Sequence, residues 1–202
     1  MRIVHLSDTH NLHQQLRNLP TADMIIHSGD ISFAGTGEEV MDFIKWFGSL
    51  SYEFKIFVAG NHDYCLAGKD PARIQRFLPN NCYYLYNSGI TICGIKFWGI
   101  PFFFSDDEMP SSNSQSTPIP SDTDVLITHR PPFGILDHTS TTHFGCFDLL
   151  QSVTTIRPKY HLFGHIHQAY GFETVSGTTF SNGSLVDGEY RLCNDYNIII
   201  IG

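Results

Sequence analysis

One design recurs along this chain: a short apolar run stops abruptly in a cluster of oxygen and nitrogen donors. "RIVHLS" runs into "DTHN", "ADMIIHS" (22–28) ends in "GD", and "FKIFVA" (54–59) ends in "GNHD". "DVLITH" (124–129) closes on a histidine, and "YHLF" leads into "GHIH". Runs of this length and β-rich composition are buried strands. Between the second and third lies "GTGEEVMDFIKWFGSL", where Val40, Phe43, Ile44 and Phe47 recur at three- and four-residue spacing, as on an amphipathic helix. Strand, helix and strand in alternation predict an α/β fold with a partly parallel sheet. Ligands in such sheets gather beyond the carboxyl ends of the strands. The polar tips Asp8/His10, Asp30, Asn61/His62, His129 and His165/His167 are therefore expected to converge on one cleft.

The rest of the chain supports one domain over residues 1–202. At 42% hydrophobic residues it can bury a substantial core. "DPARIQRFL" (70–78) and "FGCFDLLQSVTTIRP" (144–158, up to Pro158) read as helices. "GITICGIKFWGIPFFF" (89–104) reads as two strands joined around Gly94, and "GTTFSNGS" and "DYNIIIIG" as closing strands. The Ser/Pro-rich stretch 105–121 reads as a surface loop. The net charge of −8 argues against binding bulk nucleic acid. No apolar run approaches the length of a membrane span, and no secretory signal opens the chain. Five cysteines without C-x-x-C spacing read as reduced thiols of a cytoplasmic protein. The "NGS" at 182–184 is then an accidental glycosylation match.

The donors themselves limit the chemistry. Two aspartates, one asparagine and four histidines, with His62 to spare, mix hard oxygen and borderline nitrogen ligands. That mixture suits Mn, Fe, Zn, Ni or Co. Seven donors exceed what one such ion takes from protein, whereas two ions sharing a bridging carboxylate would use them. Ion pairs of this kind clamp the attacking and leaving oxygens in phosphoryl chemistry.

The ordered series "DTH", "GD", "GNHD", "TH" and "GHIH", spanning residues 8–167, resembles the calcineurin-like metallophosphoesterase superfamily. "EEVMDFIKWFGSL", "FVAGNHD", "DVLITHRPPFGILD" and "HLFGHIHQAYG" further resemble its branch of metallophosphoesterase-domain phosphodiesterases, grouped with class III cyclic-nucleotide phosphodiesterases. The resemblance implies a four-layer α/β/β/α sandwich of two mixed β-sheets flanked by helices. It also implies that Asp8, His10 and His167 hold one metal ion, that Asn61, His129 and His165 hold a second, and that Asp30 bridges them. His62 would face the substrate.

The implied activity is hydrolysis of a small phosphodiester, a cyclic nucleotide among the candidates, by in-line attack of a metal-bridging hydroxide. His62 would stabilise charge and protonate the leaving group. Asp63 in place of glutamate, and the absence of an arginine after Asp30, separate the chain from Ser/Thr protein phosphatases. A phosphomonoesterase, a nuclease or a non-catalytic module of the same fold are the alternatives. Oligomeric state is not encoded in any motif.

Other residues have plainer readings beside functional ones. His5, His13, His27, His138, His143 and His161 read as structural, and Asp63 as a brace of the "GNHD" loop. Asn11 either touches substrate or starts a helix, and Asn182 serves a turn or the site. Arg130, where the related branch usually has glycine, either binds a substrate phosphate or folds outward to an acid such as Asp137. Of the aromatics Tyr83, Tyr84, Tyr86, Phe97, Trp98 and Phe102–Phe104, most read as core; the end of "PFFF" is the exception, a candidate base-stacking surface.

Overall fold

The computed structural model describes residues 1–103 and 118–202. The expectations for Phe104 and for the loop 105–121 as far as residue 117 lie outside the described residues. Strands β1 (Arg2–Leu6), β2 (Met24–His27), β3 (Phe54–Phe57) and β4 (Cys82–Tyr84) pair in parallel, in that order. Helix α1 (Gly37–Ser49) connects β2 to β3, and the short helix α2 (Pro71–Gln75) connects β3 to β4. The hairpin β5 (Ser88–Ile92) and β6 (Ile95–Ile100) leads to β7 (Val125–Thr128), which runs parallel to β6. A small hairpin, β8 (His138–Thr139) and β9 (Thr142–His143), precedes helix α3 (Phe147–Ile156). Strand β10 (Tyr160–Phe163) then pairs with β7, while β11 (Gly171–Val175) and β12 (Thr178–Asn182) extend the second sheet. The last strand, β13 (Asn197–Ile200), returns antiparallel to β1. The result is two mixed sheets, ordered β13-β1-β2-β3-β4 and β11-β12-β10-β7-β6-β5.

Strand alternation explains the layering. Ile3, Met24, Ile26 and Ile56 face the second sheet and pack with Phe97, Val125, Ile127 and Leu162. Their neighbours Val4, Leu6, Ile25 and Phe57 point the other way, onto Val40, Phe43, Ile44 and Phe47 of α1. Leu126, Phe163 and Phe180 cover the far face with Val153 of α3. Helix, sheet, sheet and helix thus stack as the expected α/β sandwich. Burying each phenylalanine of α1 contributes roughly 2–3 kcal/mol.

Local chemistry fixes the element ends. α1 starts where the Thr36 hydroxyl accepts from Glu39 N and the Glu39 carboxylate accepts from Thr36 N. The β5–β6 turn has Cys93 and Gly94 both at positive φ (50° and 79°), which suits a two-residue hairpin. Two helices are shorter than the sequence pattern predicts. α2 covers 71–75 of the expected 70–78, with Asp70 as its cap. α3 begins at Phe147 and not at 144, because Cys146 is already engaged: its N–H donates to Pro131 O, and its carbonyl accepts from Phe133 N. Among the described residues no helix is long and apolar enough to cross a membrane.

Candidate metal centre

The loops leaving β1 and β2 are zipped together by their backbones. Asp8 N donates to Gly29 O, His10 N to Asp30 O and Asn11 N to Ile31 O. The turns this requires are tight: Asp8, His10, Asn11, Asp30 and His165 have φ of 55°, 40°, 67°, 54° and 70°. Left-handed backbone costs a non-glycine residue roughly 1–2 kcal/mol, and such strain concentrates at functional sites. Side chains of the same cluster pin the loops further. His62 N donates to Asp30 Oδ1 at 2.8 Å, His165 N to both Asp8 oxygens at 3.1 Å, and Ser184 Oγ to Asp8 Oδ2 at 2.6 Å. Close approach is possible only because no side chain intervenes at two positions. A Cβ on Gly60 would strike Asp30 Oδ1, and one on Gly164 would strike Ser7 Oγ and Asp8 Oδ2.

Seven sequence-predicted donors meet here. Asp8, His10 and His167 form one group whose ligand atoms lie within 4.8 Å of one another; Asp30, His129 and His165 form another. Asn61 Oδ1 joins the second, 3.0 Å from His129 Nε2. Asp30 Oδ2 stands between them, 3.7 Å from His10 Nε2 and 3.3 Å from His129 Nε2. His62 is as near as the ligands: with His10 and Asp30 it makes a third group within the same 4.8 Å. The outer ring nitrogens are fixed by carbonyls, His129 Nδ1 on Ser28 O (2.9 Å), His167 Nδ1 on Asp187 O (3.0 Å) and His62 Nδ1 on Phe33 O (2.8 Å). Such contacts orient imidazoles and leave Nε2 for a ligand or a proton.

The electrostatics call for cations. Asp8 and Asp30 are buried, and among the described residues neither pairs with a lysine or arginine. Burial opposes ionisation of Asp8, yet the hydrogen bond with His167 and the charges of His129, His167 and His10 hold its carboxyl well below the usual range. Burial likewise opposes the charge on Asp30, but His129 and His10 keep its pKa lowered. Burial pushes His10 down to about 4 and His165 to about 3. Burial also opposes the charge on His129, but the charge and contact of Asp30, the charge of Asp8 and the hydrogen bond to Ser28 O together raise it to about 9. Two buried carboxylates ringed by imidazoles form a donor set that divalent ions complete.

Surrounding residues resolve several open readings. Asp63 does brace its loop, accepting from Gly60 N, Ile31 N, Ser32 N and Ser32 Oγ. His5, His27 and His161 are buried and hydrogen-bonded to Ser28 and Ser181, to Thr9, and to Thr128. His13 meets Asp42. Asn11 is exposed on the rim, beside His10, and caps no helix. Asn182 holds the loop of His165 and His167 by donating to Ile166 O. Arg130 does not reach Asp137, whose carboxylate takes His143 and the N–H groups of Gly134 and Gly145. Its guanidinium donates to Phe144 O and lies 5.3 Å over the Phe102 ring, close enough for its charge to lower the pKa of His165. No linear pattern pointed to Ser184, Phe33 or Tyr190. A turn motif, "DGEYR", surrounds Tyr190, but nothing in it says that the turn reaches this cluster.

Known proteins resemble this chain in sequence and in fold. The calcineurin-like phosphoesterase family profile matches residues 1–169. Human metallophosphoesterase domain-containing protein 1 is 33% identical, over 96% of this chain and 68% of its own length. A Caenorhabditis elegans protein of the UPF0046 group is 34% identical, over 91% of this chain and 69% of its own. The crystal structure of TT1561 from Thermus thermophilus shares the fold, with a TM-score of 0.60 at 12% identity over 90% of this chain and 88% of that one. A Nostoc protein named as a 3',5'-cyclic-nucleotide phosphodiesterase is 24% identical, over 75% of this chain and 58% of its own. The chain belongs to the calcineurin-like phosphoesterase family.

Proposed function

We propose that this protein is a metal-dependent phosphodiesterase acting on small phosphodiesters. The observation that carries the proposal is the position of Asp30 between the two donor groups, with His62 beside it. Asp8, His10 and His167 would hold one ion, and Asn61, His129 and His165 the other, with Asp30 shared. Divalent ions bound there would supply Lewis acidity and lower the pKa of bound water. The protein's own part is to orient and to move protons. The hydrogen bond from Nδ1 to Phe33 O fixes the His62 ring, so that in the imidazolium form Nε2–H faces the departing alkoxide, gives it the proton and leaves the neutral ring. Asn11 on the rim and Arg130 near His165 are proposed to bind the phosphoryl oxygens and the ester arm.

A diester suits the site better than a phosphoprotein or polynucleotide. The recess beside His10 is lined by Asn11, Leu12, Phe33, Glu39 and Tyr190, without lysine or arginine. It offers nothing to a second phosphate, and the chain carries a net charge of −8. Similarity to the Nostoc protein supports the same choice. The five free cysteines support a reducing, cytoplasmic setting.

Purified protein assayed with manganese against aryl phosphomonoesters, linear diesters and cyclic nucleotides tests the proposal. Diesters are expected to turn over fastest, with close to two ions per chain by elemental analysis. Faster monoester hydrolysis overturns the diester assignment. Absence of both metal and activity would instead support a non-catalytic module.

A further inference from the structure

Two exposed aromatic rings stand at the mouth of the donor cluster, and the proton-transfer chemistry above leaves them unused. Phe33 is 51% exposed and Tyr190 37%. Their centroids lie 5.1 Å apart at an interplanar angle of 81°, edge to face. Tyr190 also packs edge-on against His10 at 4.8 Å and His167 at 5.5 Å, and Phe33 lies 6.2 Å from His62. With Asn11 and Leu12 they line a recess of about 330 Å³ that opens beside His10.

The backbone holds both rings in register with the histidines. The carbonyl of Phe33 itself accepts from His62 Nδ1 at 2.8 Å. The next amide, Ala34 N, is tied to the Glu39 carboxylate at 3.1 Å. On the other side Asp187 O accepts both His167 Nδ1 and Tyr190 N, each at 3.0 Å. The Asp187 carboxylate closes that turn by accepting from Glu189 N and Arg191 N. Tyr190 sits at φ +60°, a conformation a non-glycine residue adopts only when its surroundings impose it. Each ring thus hangs from the segment that orients a site histidine.

We propose that Phe33 and Tyr190 form an aromatic wall that receives a planar ring on one ester arm of the substrate. The substrate class is then a small aryl or nucleobase-bearing phosphodiester, an assignment that rests on the phosphodiesterase reading. Exposed ring faces take flat π systems by offset stacking or edge contact. The recess lies at the small end of ligand sites, with room for one ring system and not for an oligomer. Glu39, the one acidic residue among the described lining residues, is engaged by Ala34 and Thr36 and repels further negative charge.

Equilibrium binding of two non-hydrolysable anions tests the wall. Phenylphosphonate and methylphosphonate are titrated calorimetrically into manganese-loaded protein. Wild type should bind the phenyl compound roughly tenfold more tightly, the scale of one stacked ring. Phe33→Leu combined with Tyr190→Leu should collapse that ratio towards one with methylphosphonate affinity unchanged, and Tyr190→Phe alone should keep it. Thermal unfolding of each variant verifies its fold. Equal binding of the two anions by wild type, or a ratio that survives the double substitution, overturns the wall while leaving the phosphodiesterase reading intact. Failure of both anions to bind overturns the wall, and loss of diester turnover in the same preparation separately removes the phosphodiesterase reading.

Discussion

The Nε2 atoms of His10 and His167 lie 3.3 Å apart, although 157 positions separate the residues in the chain. Two imidazole lone pairs at that distance repel unless a proton or a cation sits between them. Asp8 Oδ1 stands 3.5 Å from His167 Nε2 and 3.9 Å from His10 Nε2, completing a three-donor face.

Asp30 lies between the two donor groups and is proposed to bridge both ions, so its replacement should cost both. Asp30→Asn is expected to lower metal content from near two ions per chain to below one, and to reduce turnover by roughly a thousandfold or more. Elemental analysis after desalting reads the first effect. Retention of both ions would show that Asp30 does not bridge.

His62 lies as close to His10 and Asp30 as a ligand would, yet its proposed task is proton transfer. His62→Ala should therefore keep the metal content while slowing turnover roughly 10²–10⁴-fold, the usual worth of a general acid. A variant that also loses an ion would make His62 a ligand.

Gly164 sits where a methyl group would collide with Ser7 and Asp8. Gly164→Ala should displace the Asp8 carboxylate, destabilise the fold by roughly 1–3 kcal/mol and weaken binding of the ion assigned to Asp8, His10 and His167 under the proposed function. An unchanged melting temperature together with full metal content would sink this prediction.

Arg130 carries a positive charge to within reach of His165. Arg130→Gly is expected to raise KM for a diester several-fold with little change in kcat, because a positioning charge acts on binding. An unchanged KM would end its role in phosphate binding.

Acid should unfold the metal-free protein earlier than its carboxylates alone require. Burial pushes His5, His27 and His161 each from 6.5 down to about 3. Between those values the unfolded chain binds more protons than the folded one. Stability is therefore full above pH 6.5 and lost as pH falls towards 3, by roughly 1.4 kcal/mol per pH unit for each such histidine. His129 acts oppositely: raised to about 9, its contribution is present below 6.5 and fades as pH rises through 9. Urea midpoints measured from pH 10 to pH 4 check both arms, and a flat profile below pH 6.5 would contradict the first.

Much of this was legible in one dimension. Strands ended by "DTH", "GD", "GNHD", "TH" and "GHIH" announce their direction, because donors placed after an apolar run emerge at its carboxyl end. The period of Val40, Phe43, Ile44 and Phe47 marks the buried face of α1 in the same way. Local pattern failed where the chain was already committed elsewhere, as at Cys146, whose pairing with Pro131 and Phe133 delays α3.

Composition and order determined the class of fold and the donor inventory, since both follow from which side chains avoid water and which bind cations. Only the folded chain decided who stands beside whom. Ser184 reaches Asp8 across 176 positions, and Tyr190 reaches His10 from a strained turn. Such pairings arise from the crossing of loops on two packed sheets. No periodicity encodes that geometry, because the residues that meet there share neither a strand nor a helix.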